Sequence, residues 1–152
     1  MDVAIAEVLG CTCLRMRRVT RRVTQIYDRA LAPAGVTVNQ FGLLAHLYGV
    51  TLAGSAGLPI GALAERLGAD PTTLNRTLKP LQDKGLVRDC LDPSDGRVRL
   101  VQLTDKGRRE LVKIMPLWRK AQAQVERQLG PRSMTALNEL LDLSAARLKA
   151  ST

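Results

Sequence analysis

The stretch Ile60–Gly85, IGALAERLGADPTTLNRTLKPLQDKG, decides the fold. Ala62, Leu63, Ala64 and Leu67 form a short apolar helical stripe over about Ile60 to Leu67. Gly68 suits the left-handed position that closes a helix. Asp70 is a strong N-cap, and Pro71 at the first helical position loses no needed hydrogen bond. The second helix then runs to about Lys84 and stops at Gly85. Within it Leu74, Leu78 and Leu81 fall at i, i+4 and i+7 and face a core, which turns Thr72, Thr73, Asn75, Arg76 and Lys79 outward. Pro80 should bend the C-terminal half of this helix and leave the N-terminal half straight. Two helices across the turn Gly68-Ala69-Asp70 make a helix-turn-helix.

Downstream, the strand-like runs Leu86 to Leu91 and Arg97 to Leu103 flank the turn formers Asp92-Pro93-Ser94-Asp95-Gly96. This is a hairpin whose tip carries Arg97 and Arg99. Thr104 caps a long helix from Asp105 to about Leu129, with Leu111, Ile114, Met115, Trp118, Ala121 and Val125 along one side. Pro116 should kink it. Gly130-Pro131 ends it, and a last helix spans about Arg132 to Leu148. Upstream, Val19, Val23, Ile26 and Ala30 share one stripe of a first helix from near Ile5 to Ala32, ended by Pro33-Ala34-Gly35. Thr37-Val38-Asn39-Gln40 reads as a capping box opening a chargeless, buried helix with Phe41, Leu44 and Leu47. Gly54-Ser55-Ala56-Gly57 reads as a flexible loop. The expected fold is mainly α with a small β-hairpin wing: a winged helix-turn-helix lobe within an all-helical frame.

The chain has 152 residues, one domain's worth, enough for a core without disulfides or metals. Lys plus Arg is 23 against 14 Asp plus Glu, so the formal charge is 23 − 14 = +9. Residues 35 to 60 carry no formal charge, yet the basic excess recurs on both sides of them, which suits a folded surface facing a polyanion. Aromatics are only 3%, which excludes a base-stacking platform for single strands. No run is long and apolar enough to span a membrane, and Met1 to Gly10 lacks the basic start of a signal peptide. Cys11, Cys13 and Cys90 are too few for a disulfide framework, so a reducing cytoplasm is the expected setting. A single histidine, no Cys/His cluster and no glycine-rich phosphate loop leave metal, cofactor and enzyme readings without support.

The chain resembles the MarR family of bacterial transcription regulators. The resemblance rests on Leu63-Ala64-Glu65-Arg66-Leu67, Thr72-Thr73-Leu74-Asn75-Arg76, Lys84-Gly85-Leu86-Val87, Asp95-Gly96-Arg97 and Leu103-Thr104-Asp105-Lys106-Gly107, in that order. It implies one MarR-like domain over 1–152, with dimerisation helices over 5–34 and 105–150 and a DNA-binding lobe over 37–104. It also implies a homodimer, and repression relieved by a small ligand or by oxidation. Asp89 stands where the family usually has a basic residue, so the backbone contact there has moved to Arg88 or been lost.

On that footing the outward face of the second helix-turn-helix helix enters the major groove. Asn75 can pair with adenine, Arg76 with guanine, and the methyls of Thr72 and Thr73 can pack on thymine. Arg97 is placed for a narrow minor groove, held by an ion pair to Asp95 as the resemblance implies, while Arg99 and Lys106 would touch phosphates and Lys79 faces outward with the groove-reading residues of the helix. Neutralising about 8 phosphates would give a log–log salt slope of about −7. Half-sites should lie about 34 Å apart in a near-palindromic double-stranded operator.

Family effectors tend to lie between the dimer helices and the DNA-binding lobe. Arg17 or Arg18 and His46 are candidates to hold an aromatic or phenolic carboxylate there. The plainer reading leaves the arginines solvated or on DNA backbone and makes His46 a satisfied core histidine. Cys13 stands at a position similar to that of a reactive cysteine in the hydroperoxide-sensing branch, which makes it the redox candidate. That branch has tyrosines beside its cysteine, and Leu14 to Arg18 supplies none; the plainer reading is a small apolar helix residue. On one helix, Cys11 and Cys13 would point to opposite sides and not bond each other. A third reading, from another class, is a protein–protein adaptor with a degenerate winged helix.

Overall fold

The computed structural model describes residues 7–148. Its elements are α1 (Thr12–Leu31), a 3-10 turn (Ala32–Ala34), α2 (Val38–Leu52), β1 (Leu58–Pro59), α3 (Ile60–Leu67), α4 (Pro71–Asp83), β2 (Val87–Leu91), β3 (Arg99–Leu103), α5 (Asp105–Leu129) and α6 (Pro131–Arg147). The chain divides into two compact units, one of Leu31–Leu117 and one of the residues before and after it. The division falls inside α5, just after Pro116.

The central unit is the winged helix-turn-helix. Its chargeless α2 opens on the expected capping box: Thr37 Oγ1 accepts the Gln40 N–H at 3.2 Å, and Gln40 Oε1 accepts the Thr37 N–H at 3.0 Å. Leu43, Leu44 and Leu47 of α2 are buried with Leu63 of α3 and Leu74 and Leu81 of α4. Each such leucine stabilises the lobe by about 1.5–3 kcal/mol relative to an exposed one.

The wing is one strand larger than its sequence suggests. β2 and β3 pair antiparallel from Val87↔Leu103 to Leu91↔Arg99, and β1 adds Leu58↔Val101 and Pro59↔Leu100 to give the order β1-β3-β2. Gly57 makes the approach possible, because a Cβ there would lie 2.4 Å from the Val101 carbonyl oxygen. The expected flexible loop therefore ends in a fixed backbone contact. Pro59 is tolerated because β1 is an edge strand.

The other unit joins α1, the second half of α5 and α6. Tyr27, Ala121 and Val125 are its buried apolar residues among those described. The Tyr27 hydroxyl donates to Gln122 Oε1, and Gln122 Nε2 donates to Glu126 at 3.0 Å. Burial, then the Glu126 charge, pushes the Tyr27 hydroxyl pKa above its usual value. α6 buries no residue.

The first helix is shorter than expected. It starts at Thr12, because the chain turns at Gly10 after a helical stretch over 7–9; Ile5 and Ala6 lie outside the described residues. The expected frame beyond residue 148 likewise lies outside them. Pro80 and Pro116 both sit inside helices that continue through them.

Candidate nucleic-acid interface

Local chemistry sets the entry of α4. Gly68 closes α3 at φ 61°, and its N–H returns to Ala64 and Glu65 carbonyls. Asp70 then caps α4: its carboxylate accepts the Thr73 N–H at 2.9 Å and the Thr73 hydroxyl at 2.6 Å. The Thr73 bonds hold the Asp70 carboxyl below the usual carboxylate range. A carboxyl lowered in the fold stabilises it above the unfolded pKa of about 3.9, and that contribution fades as pH drops through the folded value. Asp70→Asn keeps a capping side chain but cannot titrate. It should melt like the parent at neutral pH and lose less melting temperature between about pH 5 and about pH 3. Parallel acid limbs for the two proteins would remove Asp70 from the account.

With Leu74, Leu78 and Leu81 buried, the opposite face of α4 exposes Thr72, Thr73, Asn75, Arg76 and Lys79. The five are not equivalent. The Thr73 hydroxyl is committed to the cap. Lys79 Nζ donates to Asp83 Oδ1 at 2.8 Å, an exposed pair of little energetic weight. The side chains of Thr72, Asn75 and Arg76 have no hydrogen-bond or ion-pair partner among the described residues.

The wing tip is held by its own aspartates. Asp92 Oδ1 accepts the Ser94 N–H at 2.8 Å and the Ser94 hydroxyl at 2.6 Å, and these bonds lower the Asp92 pKa. Asp95 Oδ1 accepts the Arg97 backbone N–H at 3.0 Å. This differs from the expected ion pair: two residues apart, the carboxylate is captured by the nearer main-chain donor, and no ion pair to the Arg97 guanidinium forms. Arg97 and Arg99 are exposed at the tip and the first position of β3.

The sequence profile of the MarR family matches residues 34–98, from the end of the 3-10 turn through the wing tip. The transcriptional regulator MosR of M. tuberculosis, solved in complex with DNA, is 37% identical and superposes with a TM-score of 0.72, covering 91% of this chain and 98% of its own. The chain belongs to the MarR family. It is a winged helix-turn-helix DNA-binding transcriptional regulator, and the family is not one of enzymes. CouR from Rhodococcus jostii RHA1, solved with p-coumaroyl-CoA, is 25% identical with a TM-score of 0.70 over 90% of this chain and 92% of its own. The uncharacterised HTH-type regulator YhbI of Bacillus subtilis (strain 168) is 24% identical over 124 residues, 82% of this chain and 77% of its own.

Several residues have different partners in this MarR-family chain than their sequence suggests. Arg88 Nε donates to Gln102 Oε1 at 2.9 Å, and Asp89 Oδ1 accepts from Gln82 Nε2 of α4 at 3.2 Å. The position usually basic in the family thus ties the wing to α4. Lys106 reaches a protein carbonyl, that of Lys84, at 2.6 Å. Lys84 in turn donates to the Gly35 carbonyl at 2.6 Å. No simple sequence signal marks such contacts, because a lysine reads alike whether it faces phosphate or backbone.

The candidate effector residues belong to different units. Arg17 and Arg18 are exposed on α1 of one unit, and His46 is exposed on α2 of the other, its Nδ1 2.8 Å from the Gly42 carbonyl. His46 is therefore not a core histidine. The terminal-helix unit contains a largely apolar cavity of about 450 Å³ between α1, α5 and α6, with Tyr27 and Gln122 in its wall. Arg15, not Arg17 or Arg18, lines it. Cys13 is an exposed free thiol in the first turn of α1, and Cys90 is half-buried in β2. Cys11 precedes α1, so the helical angle expected between it and Cys13 does not apply. No described helix is long and apolar enough to cross a membrane.

Proposed function

We propose that this regulator acts in the cytoplasm as a homodimeric repressor that binds a near-palindromic duplex and is released by a small ligand. One observation carries the DNA contact: Thr72, Asn75 and Arg76 stand exposed on α4 with no side-chain hydrogen-bond or ion-pair partner among the described residues, in a lobe whose stapled wing presents Arg97 and Arg99. In this reading Thr72, Thr73, Asn75, Arg76 and Lys79 meet the major groove and adjacent backbone, and Arg97 the minor groove. MosR in its DNA complex and CouR, a repressor solved on a 23-mer duplex, support it by likeness.

The terminal helices support the dimer. α6 buries nothing, and Leu140, Leu141 and Leu143 are 61%, 43% and 45% exposed. Leu14, Met16 and Val19 of α1 are also exposed. Apolar surface of this kind marks an interaction face. Sedimentation should therefore show a dimer, and Leu141→Glu should shift it toward monomer and abolish tight duplex binding. Duplexes selected from a random pool should carry half-sites about 34 Å apart. A wild-type monomer, or equal affinity for scrambled and selected duplexes, would contradict the proposal.

CouR's complex with p-coumaroyl-CoA supports an aromatic or phenolic effector, for which Arg17, Arg18 and His46 are the candidate residues. The exposed Cys13 thiol favours a second trigger, oxidation. A hydroperoxide titration of the DNA complex separates them. Release that persists in Cys13→Ser excludes the thiol as sensor.

A further inference from the structure

Three consecutive carbonyls leave the end of α4, and the start of α5 engages all three. Lys106 Nζ donates to the Lys84 carbonyl at 2.6 Å. Thr104 Oγ1 reaches the Gly85 carbonyl at 2.8 Å, and the Thr104 N–H donates to the Leu86 carbonyl at 3.0 Å. Thr104 Oγ1 also accepts the Gly107 N–H at 2.9 Å, which fixes the hydroxyl as the cap of α5. From the other side, Lys84 Nζ donates to the carbonyl of Gly35, the left-handed residue ending the 3-10 turn. α4 itself closes through Gly85 at φ 67°, with the Leu86 N–H on the Leu81 carbonyl at 2.9 Å.

We infer that Lys84 and Lys106 are positioning residues for DNA recognition, not phosphate contacts. This rests on the reading that α4 carries the base contacts. An ammonium on a carbonyl at a helix C-terminus opposes the negative end of the dipole and fixes that end in space. Lys106 ties the end of α4 to α5, and Lys84 ties it to the turn before α2. The angle at which Asn75 and Arg76 are presented is then set at the far end of the same helix. Base recognition tolerates little misplacement, whereas phosphate attraction is long-ranged and forgiving.

The two roles differ in what they do to specificity and to salt dependence. Lys106→Met and Lys84→Met keep the aliphatic stem and remove the ammonium. Each variant is titrated against a duplex selected by the wild type and against an unrelated duplex, over a series of salt concentrations. Positioning predicts a roughly ten-fold loss on the selected duplex, little change on the unrelated one, and an unchanged salt slope. A phosphate contact predicts equal losses on both and a slope flatter by about 1 for each phosphate no longer neutralised. That second pattern, or unchanged affinity for both duplexes, overturns the inference. Lys84→Met leaves the Lys106 bond in place and serves if Lys106→Met melts below the assay temperature. Arg76→Ala run alongside keeps the two readings apart. If it leaves the selected duplex unaffected, the α4 reading itself fails; if it weakens that duplex while both lysine variants do not, only the positioning inference fails.

Discussion

Arg76→Ala is expected to weaken binding to a selected duplex by about 1–3 kcal/mol for each half-site. That is roughly 5- to 150-fold for one subunit. In a dimer both half-sites are affected, so the total should be about 2–6 kcal/mol, at least roughly 30-fold. The reason for expecting a pure binding effect is on the surface of α4. Arg76 is exposed and has no hydrogen-bond or ion-pair partner among the described residues, so truncation takes no polar interaction from the fold. The melting temperature should stay where it was. Arg97→Ala should behave differently. Its target is groove width and potential, so affinity should fall on many duplexes, with a smaller change in sequence preference. The Asp95 bond to the Arg97 main chain survives the substitution, so the wing keeps its shape. If neither variant changes duplex affinity at moderate salt, the adaptor reading replaces the DNA-contact reading of these residues.

The parts of this fold that the sequence made legible are those with local causes. Gly68, Asp70 and Pro71 act within one or two turns of themselves, and the bounds of α3 and the start of α4 follow from them. The capping box at Thr37 is equally local. What escaped reading depends on distant chain. β1 is two residues long, and it exists only because Val101 and Leu100 lie beside Leu58 and Pro59. The candidate site divides the same way. The outward face of α4 could be read from leucine spacing, but not that the Thr73 hydroxyl is consumed by its own cap. Nor does sequence spacing place Lys106 on a carbonyl 22 residues earlier in the chain. Charge type is written in the sequence; the partner of a charge is decided by packing.

Gly107→Ala should be among the most damaging single-methyl changes in the protein. A Cβ at this position would lie 2.0 Å from the Leu86 carbonyl oxygen and 2.7 Å from Leu103 Cδ1. The leucine methyl can rotate away, but the carbonyl cannot easily do so. Its oxygen accepts the Thr104 N–H, and the same residue's N–H closes α4 on the Leu81 carbonyl. Relief therefore requires moving either the first turn of α5 or the exit of α4. Overpacking of this kind costs about 3 kcal/mol, a large share of a total stability of about 5–15 kcal/mol. The expected drop in melting temperature is about 10 °C for a chain of this size. The informative control is Gly49→Ala, in an exposed part of α2 with nothing within 4 Å of the added methyl. That change replaces the most flexible residue in a helix interior and should raise stability by about 0.5–1 kcal/mol. Opposite signs for the two glycines would show that Gly107 is required by contact with Leu86 and not by helix propensity. A small effect at both would mean that α5 can slide on Leu86, and the grip of Thr104 and Lys106 on the end of α4 would then lose its rigid base. Below its melting point Gly107→Ala should also discriminate poorly between selected and unrelated duplexes, because the displacement it forces falls on the carbonyls that hold the recognition helix.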